Sequence, residues 1–184
     1  MAHFGHEVQL LTNLFGLLIG FELMAHQFQQ SKLALKAPAI LPDDWRGPFV
    51  LLCLIFVLSI FLDNIAAAMI GASLAKVVFQ GKVRVGYLAA IVAASNAGGA
   101  GSVIGDSTTT MMWIDGVNWL DVTHAFLPAT VALLIFGVPL SIAQQQFQAI
   151  VKNEIASHGS SHATVDYGRV LVVAIMLVGV VIGN

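Results

Sequence analysis

The chain has 184 residues, of which 58% are hydrophobic and only 10% are charged, and its mean hydropathy is +0.86. Soluble domains carry about 25% charged residues, so this composition excludes an ordinary soluble domain and predicts a protein embedded in a lipid bilayer. The net charge of −2, without a basic cluster, gives no indication of nucleic-acid binding.

The first apolar segment, 8–28, is about 20 residues long, which is enough to cross about 30 Å of hydrocarbon as a helix. It contains Asn13, Glu22 and His26, so it does not face lipid on all sides. Glu22 and His26 share a helix face, which predicts either a proton relay or a pair near the headgroups. A loop with three basic residues follows at 29–47.

Two short apolar runs meet at Asp63 and Asn64 within the segment 49–79. Each run has about 14 residues, which is short for a crossing helix and typical of a re-entrant segment. The sequence therefore predicts a helical hairpin that enters and leaves the membrane on one side. Asp63 and Asn64 form its tip, and Ser59 is the one polar residue in the run that precedes them.

The segment 86–114 is predicted to be a broken helix. Its first half stops at a break that contains an amide side chain and glycines: Asn96, Gly98, Gly99 and Gly101. Its second half begins at Asp106. Unwound polar backbone is tolerated at membrane depth only where protein or a water-filled cavity covers it, and such a break indicates the site of a transporter. The glycines would permit positive φ and a close approach of backbone to an ion.

Two further spans are predicted at 122–144 and 168–184. All eight basic residues fall on one side of the membrane if 49–79 is a hairpin, and the positive-inside rule favours that topology. The sequence therefore predicts a multi-pass protein of a bacterial-type inner (plasma) membrane, with a single transmembrane domain over 1–184. Its predicted cytoplasmic loops are 29–47, 80–85 and 147–167.

The tip and the break are two polar islands at predicted membrane depth. Burying a carboxylate there costs at least ~2.5–3.5 kcal/mol, so the presence of two carboxylates indicates a compensating interaction or a function. A bound hard cation would provide such an interaction, because it binds carboxylate, amide, hydroxyl and freed backbone oxygens. The predicted ion or substrate site comprises Asp63, Asn64, Asn96, Gly98, Gly99, Gly101, Asp106, Ser107, Thr108 and Thr109. The predicted sodium ligands among them are Asp63, Asn64, Asn96 and Asp106.

Two alternatives apply to the second half-helix. Asp106 and Ser107 would act only as its N-cap, or its first N–H groups would face an anion. No cofactor is predicted apart from sodium as the coupling ion.

The segments 61–69 and 95–113 resemble those of the ion-transporter superfamily. This superfamily includes citrate and dicarboxylate carriers, arsenite permeases and a branch of bacterial sodium/proton antiporters. The motifs Asn-Ala-Gly-Gly and Gly-Asp-Ser-Thr-Thr-Thr are more similar to those of the antiporter branch than to those of the other branches. Dicarboxylate carriers have Ser-Asn-Thr at the hairpin tip, where this chain has Asp63-Asn64-Ile65.

The resemblance implies that the hairpin and the broken helix together hold a sodium ion. The chain is then the N-terminal half of an inverted-repeat secondary transporter and not an enzyme. Its substrate is a small ion or an organic anion such as citrate. No second tip or Gly-rich break occurs after Trp113. The expected partner is therefore a missing second repeat or, alternatively, a second copy in a homodimer.

Two rival functions belong to other classes. A non-transporting membrane subunit would not need oxygen-rich helix breaks. An intramembrane aspartyl protease would use Asp63 and Asp106 as a dyad that shares a proton.

Overall fold

The structure, a computed structural model, describes residues 41–150 without a gap. It also describes isolated positions near both ends of the chain: 8, 11, 12, 15, 16, 19, 20, 23, 26, 27, 30, 166, 168–172, 174 and 175. These positions are helical within the predicted spans 8–28 and 168–184, whereas Asn13 and Glu22 lie outside the described residues. Much of the loops 29–47 and 147–167 also lies outside them.

Residues 41–150 form six helices, which we number in chain order: α1 (Arg46–Phe61), α2 (Asn64–Val78), α3 (Val85–Ala100), α4 (Ser107–Ile114), α5 (Trp119–Thr123) and α6 (Phe126–Phe147). None of the described residues is in a strand, which confirms the all-α prediction for this part of the chain. Within the same part, only Trp119–Phe147 is long and apolar enough to cross a membrane. The first three helices are apolar but shorter, about 24 Å each at 1.5 Å per residue.

The helices α1 and α2 fold back on each other around Leu62 and Asp63. A Cβ placed on Gly71 would lie only 2.4 Å from Ile55 Cδ1 and 2.9 Å from Ile91 Cγ2. Gly71 and Ile55 are equally distant from Asp63 in sequence, so the two helices run antiparallel. Glycine at this position lets all three helices approach closely, as small residues do in membrane bundles.

The core lies among α1, α2 and α3. Its members are aliphatic or small side chains that are almost fully buried: Leu51, Leu52, Ile55, Ala67, Leu74, Ala75, Val78, Ile91 and Ala94. Where helices pack outside lipid, burial of such side chains is the main favourable contribution to packing. Within lipid, close van der Waals contact between the helices provides that contribution.

Aromatic contacts join the open end of this hairpin to the start of α3. The Tyr87 hydroxyl donates to the Pro48 carbonyl at 2.6 Å. The Tyr87 ring packs edge-to-face on Phe79 with centroids 5.5 Å apart. The start of α1, the end of α2 and the start of α3 therefore lie together.

A buried glutamine near the end of α6 holds the loop before α3. Gln144 Oε1 accepts from the Arg84 backbone N–H at 2.9 Å, and its Nε2 donates to the Lys82 carbonyl at 3.1 Å. Arg84 is the N-cap residue of α3 and has no capping bond of its own side chain. Gln144 therefore holds, from another helix, the backbone that leads into α3. The Arg84 guanidinium in turn donates to the Ala143 carbonyl and lies 5.8 Å from the centre of the Phe147 ring.

The end of α3 differs from the prediction. The sequence predicted that the helix stops at the break of Asn96, Gly98, Gly99 and Gly101, whereas α3 includes the first three of them, continues to Ala100, and is followed by the non-helical linker 101–106. The glycines of the break do not use the positive φ that glycine permits. Among the described residues, glycines with positive φ are Gly81 and Gly116, each in a turn after a helix.

Candidate ion site

Each of two helices begins at an aspartate that caps it. Asp63 Oδ2 accepts from the Ile65 N–H at 3.0 Å at the start of α2. Asp106 Oδ1 accepts from the Thr108 N–H at 2.8 Å and from the Thr108 hydroxyl at 2.7 Å at the start of α4. The capping role considered for Asp106 is therefore present, and Asp63 has the same role at the tip.

An amide side chain joins these helix starts to the end of α3. Asn64 Nδ2 donates to Asn96 Oδ1 at 2.9 Å and to Asp106 Oδ2 at 3.3 Å. Asn96 Nδ2 donates to the Val92 carbonyl one turn earlier, which leaves its oxygen towards Asn64. We call Asn64, Asn96 and Asp106 the polar junction. It brings together residues 32 and 42 positions apart in the chain.

The linker 101–106 is folded by its own hydroxyls. The Ser102 hydroxyl donates to the Ile60 carbonyl at 2.6 Å and accepts from the N–H groups of Ile104 and Gly105. The Ile60 carbonyl lies in the last turn of α1, where backbone oxygens have no partner within the helix. Thr109 and Thr110, both buried, donate back to the carbonyls of Ser102 and Val103.

Glycines allow backbones to touch in this region. A Cβ on Gly98 would lie 2.1 Å from the Phe56 carbonyl oxygen, and one on Gly105 would lie 2.0 Å from that of Ser59. A Cβ on Gly99 would be 2.9 Å from the Gly105 carbonyl oxygen. Gly98 and Gly99 lie within α3, so these glycines permit close backbone approach rather than unwinding.

Gly101 has a different contact. A Cβ placed there would meet the Phe126 ring at 2.5 Å, so this glycine accommodates the start of α6.

The ends of four helices meet here with opposite polarity. The C-terminal ends of α1 and α3 bring carbonyl groups, and the N-terminal ends of α2 and α4 bring N–H groups. Helix C-termini attract cations, whereas N-termini attract anions. Since Asp63 and Asp106 already cap both N-termini, fixed carboxylates occupy the positions where an external anion would bind.

The remaining predicted residues with hydroxyl groups are not part of the polar junction. Ser107 is half-buried, and its hydroxyl forms no hydrogen bond within residues 41–150. The Thr108 hydroxyl is committed to Asp106, and the Thr109 hydroxyl to linker carbonyls.

One residue of this region was noted in the sequence but assigned no role. Ser59 is fully buried, and its hydroxyl has no hydrogen-bond partner in the described structure. Its carbonyl lies against Gly105 of the linker. The sequence signal that could have indicated Ser59 is a single hydroxyl in an otherwise apolar run. An unpaired buried hydroxyl next to the linker is a neutral oxygen of the kind that hard cations bind.

Comparison with known proteins decides the family. The model of the citrate transporter family matches residues 3–184. The chain belongs to the citrate transporter family. It is 38% identical over 104 residues to Sodium/proton antiporter 2 of Arabidopsis thaliana, a match that covers 53% of this chain and 24% of that protein. It is 42% identical over 90 residues to Sodium/proton antiporter 1 of the same plant, over 47% of this chain and 15% of that protein. No solved structure matches the chain.

These matches confirm the resemblance to ion transporters that the sequence motifs indicated. The matched family and the two relatives are named as transporters, and none of these matches supports the aspartyl protease alternative. The matched regions span at most 24% of the length of these curated relatives. Both relatives are plant proteins, so the bacterial-type inner membrane stays a prediction.

Proposed function

We propose that the chain is the part of a secondary active transporter that binds the coupling cation, sodium or a proton. The observation that carries this proposal is the polar junction, in which the Asn64 amide lies between the Asn96 and Asp106 oxygens. The names of the two plant relatives support exchange of sodium for protons as the transport reaction.

The junction offers the oxygens that a sodium ion needs. The Asn64 NH2 group contacts the two oxygens that would coordinate a cation, so its partial positive charge occupies that position. Rotation of this amide by 180° exchanges its nitrogen for its oxygen, and Asn64, Asn96 and Asp106 then present three oxygens. Asp63, Ser107, Thr108 and the unpaired Ser59 hydroxyl are neighbouring sources of further oxygens.

A cation fits this junction better than citrate. The two N-termini that would attract a carboxylate substrate already carry Asp63 and Asp106. A multiply charged anion placed there would be repelled by both side chains. The citrate-like alternative therefore requires a substrate site built mainly by the rest of the carrier.

The helix lengths suggest how this unit lies in the membrane. At about 24 Å, α1 and α2 are shorter than the roughly 30 Å hydrocarbon layer, which supports a re-entrant hairpin with its tip inside the bilayer. We propose that loop 80–85 is cytoplasmic and that a second, inverted repeat completes the carrier by alternating access. A second copy in that role is disfavoured, because the basic residues lie on one side. The 184-residue chain alone is then expected not to transport ions, and ion exchange by this chain in liposomes would contradict the proposal.

The decisive experiment measures ion exchange by the full-length carrier in everted vesicles. Sodium is added with and without citrate while a dye reports internal pH, and Asp106→Asn is compared with the matched change Asp115→Asn. Asp115 follows α4 and is exposed, outside the polar junction. A sodium-driven pH change without citrate, abolished only by Asp106→Asn, is expected. Uptake of sodium that requires citrate would contradict antiport and favour a sodium/carboxylate symporter.

A non-transporting subunit makes a different prediction. If the junction binds sodium, the purified chain gains thermal stability as sodium replaces choline, and Asp106→Asn removes that gain. Equal stability in both salts would favour the subunit.

A further inference from the structure

Four basic residues from separate positions in the chain lie at one end of the helix bundle: Arg46, Lys76, Lys82 and Arg84. We call this region the basic end. Arg46 begins α1, Lys76 lies in the last turn of α2, and Lys82 and Arg84 precede α3. The bond from the Gly81 N–H to the Lys76 carbonyl, 2.7 Å, closes a turn at the end of α2, and Lys82 follows that turn at the same end of the bundle.

The two lysines of the basic end have free ammonium groups. Both are exposed, and neither forms an ion pair with any residue that the structure describes. Arg46 pairs with Asp44 at 3.7 Å, and Arg84 is engaged by the end of α6. Within residues 41–150, the four basic residues outnumber the two aspartates of this end, Asp43 and Asp44, and leave this part of it positive.

The opposite end of the bundle has the reverse charge. The turns that follow α4 and lead into α6 contain the exposed residues Asp115 and Asp121. No lysine or arginine occurs between Arg84 and Lys152. An anion in the membrane is therefore attracted to one end of this unit and repelled from the other.

Exposed apolar side chains neighbour the basic residues in the chain. Val77, next to Lys76, is 46% exposed, and Val85, at the start of α3, is 82% exposed. A soluble phosphate would contact only the charges, whereas a phospholipid would place its phosphate at the lysines and its acyl chains along these valines. The surface thus matches an amphiphilic anion.

We propose that Lys76 and Lys82 form a binding surface for the phosphate headgroup of an anionic phospholipid, with Arg46 adding to the positive field. The site is distinct from the polar junction and does not depend on which ion is transported. It would anchor the end of α2 and the start of α3 at the headgroup layer, while the tip lies deeper in the membrane.

The test measures binding of a fluorescent phosphatidylglycerol to the purified chain in detergent, with phosphatidylcholine as the neutral comparison. The double variant Lys76→Gln, Lys82→Gln is expected to weaken phosphatidylglycerol binding about 30-fold, or about 5-fold for each lysine, the size expected for one basic residue at an anionic surface. Lys76→Arg, Lys82→Arg is the matched control, because it keeps both charges, and it is expected to bind as the unchanged chain does.

Three outcomes would overturn the proposal. The first is equal binding of phosphatidylglycerol and phosphatidylcholine. The second is no loss of phosphatidylglycerol binding in the glutamine variant, or an equal loss in the arginine variant. The third is displacement of the lipid by millimolar glycerol phosphate, which would identify a soluble phosphate site. The intrinsic fluorescence of the tryptophans checks that both variants keep the fold of the unchanged chain.

Discussion

The two ends of α3 are held in different ways. At its start, the buried Gln144 amide pairs both of its polar groups with the backbone of the 82–84 loop. At its other end, the exposed Asn96 shares one donor, from Asn64, with the Asp106 carboxylate. Buried and fully paired polar groups make a structure rigid. Exposed groups that share one donor can exchange partners. One end of α3 is therefore a fixed anchor, and the other has contacts that can adjust, as the proposed ion site would require.

The largest expected effect concerns the backbone contacts that hold the polar junction in place. Gly98→Ala places a methyl group 2.1 Å from the Phe56 carbonyl oxygen, which belongs to helix backbone and cannot rotate away. The free energy of unfolding should fall by about 3 kcal/mol. A dye that reacts with the single cysteine, the partly buried Cys53, reports thermal unfolding in detergent.

Gly86→Ala is the control for this change, because Gly86 also lies in α3 and its nearest neighbour, Leu140 Cδ2, would be 3.5 Å away. Alanine there should be neutral or add up to about 1 kcal/mol through helix propensity. Equal destabilisation by both variants would show that the contact with α1 is not the cause.

The next effect tests the anchor at the start of α3. Gln144→Ala leaves the Arg84 N–H and the Lys82 carbonyl without their partner, which should cost about 2 kcal/mol of unfolding free energy. Gln146→Ala, at an exposed position of the same helix, should cost little. The same thermal assay measures both, and a Gln146 variant as unstable as the Gln144 variant would refute the anchor.

A smaller effect is expected at the polar junction itself. A double-mutant cycle of Asn64→Ala and Asn96→Ala in choline should give a coupling energy of about 1 kcal/mol, the usual net value of one hydrogen bond. Sodium should stabilise the unchanged chain and not the variants. Additive single effects in choline would mean that the two amides do not interact.

The smallest effect concerns the cap of α4. Thr108→Val removes the hydroxyl that donates to Asp106 but keeps the backbone N–H that caps the helix. The exposed position suggests a loss of about 0.5 kcal/mol in thermal unfolding. Thr130→Val, at an exposed position of α6, is the control and should be neutral. A loss at Thr108 as large as that of Gln144→Ala would contradict the distinction between the two ends.

The sequence predicted features that depend on neighbours in the chain. Asp63 and Asp106 precede helices because a short carboxylate reaches the N–H group two residues later, a contact that needs no distant partner. The apolar runs on either side of Asp63 predicted two short helices, and α1 and α2 occupy those runs. The family motifs were recognised from contiguous residues in the same way.

The end of α3 could not be read from local sequence. Glycines and an asparagine usually interrupt helices, yet α3 continues through Asn96, Gly98 and Gly99. The backbone of α1 lies against Gly98, and this contact favours a helix with a bare surface there. A contact with a segment about 40 positions away in sequence overrides the local preference.

Local sequence is enough to predict the membrane class, the family, the positions of the apolar helices and the two aspartates that begin helices. The packing of the whole bundle is needed to bring Asn64 between Asn96 and Asp106, to bring Gln144 to Arg84, 60 residues away and just before α3, and to place the glycines against backbone. The two sets of features differ because the interactions behind them act over different distances along the chain. Hydropathy and capping act within one or two turns, whereas hydrogen bonds between helix ends depend on how the whole bundle packs.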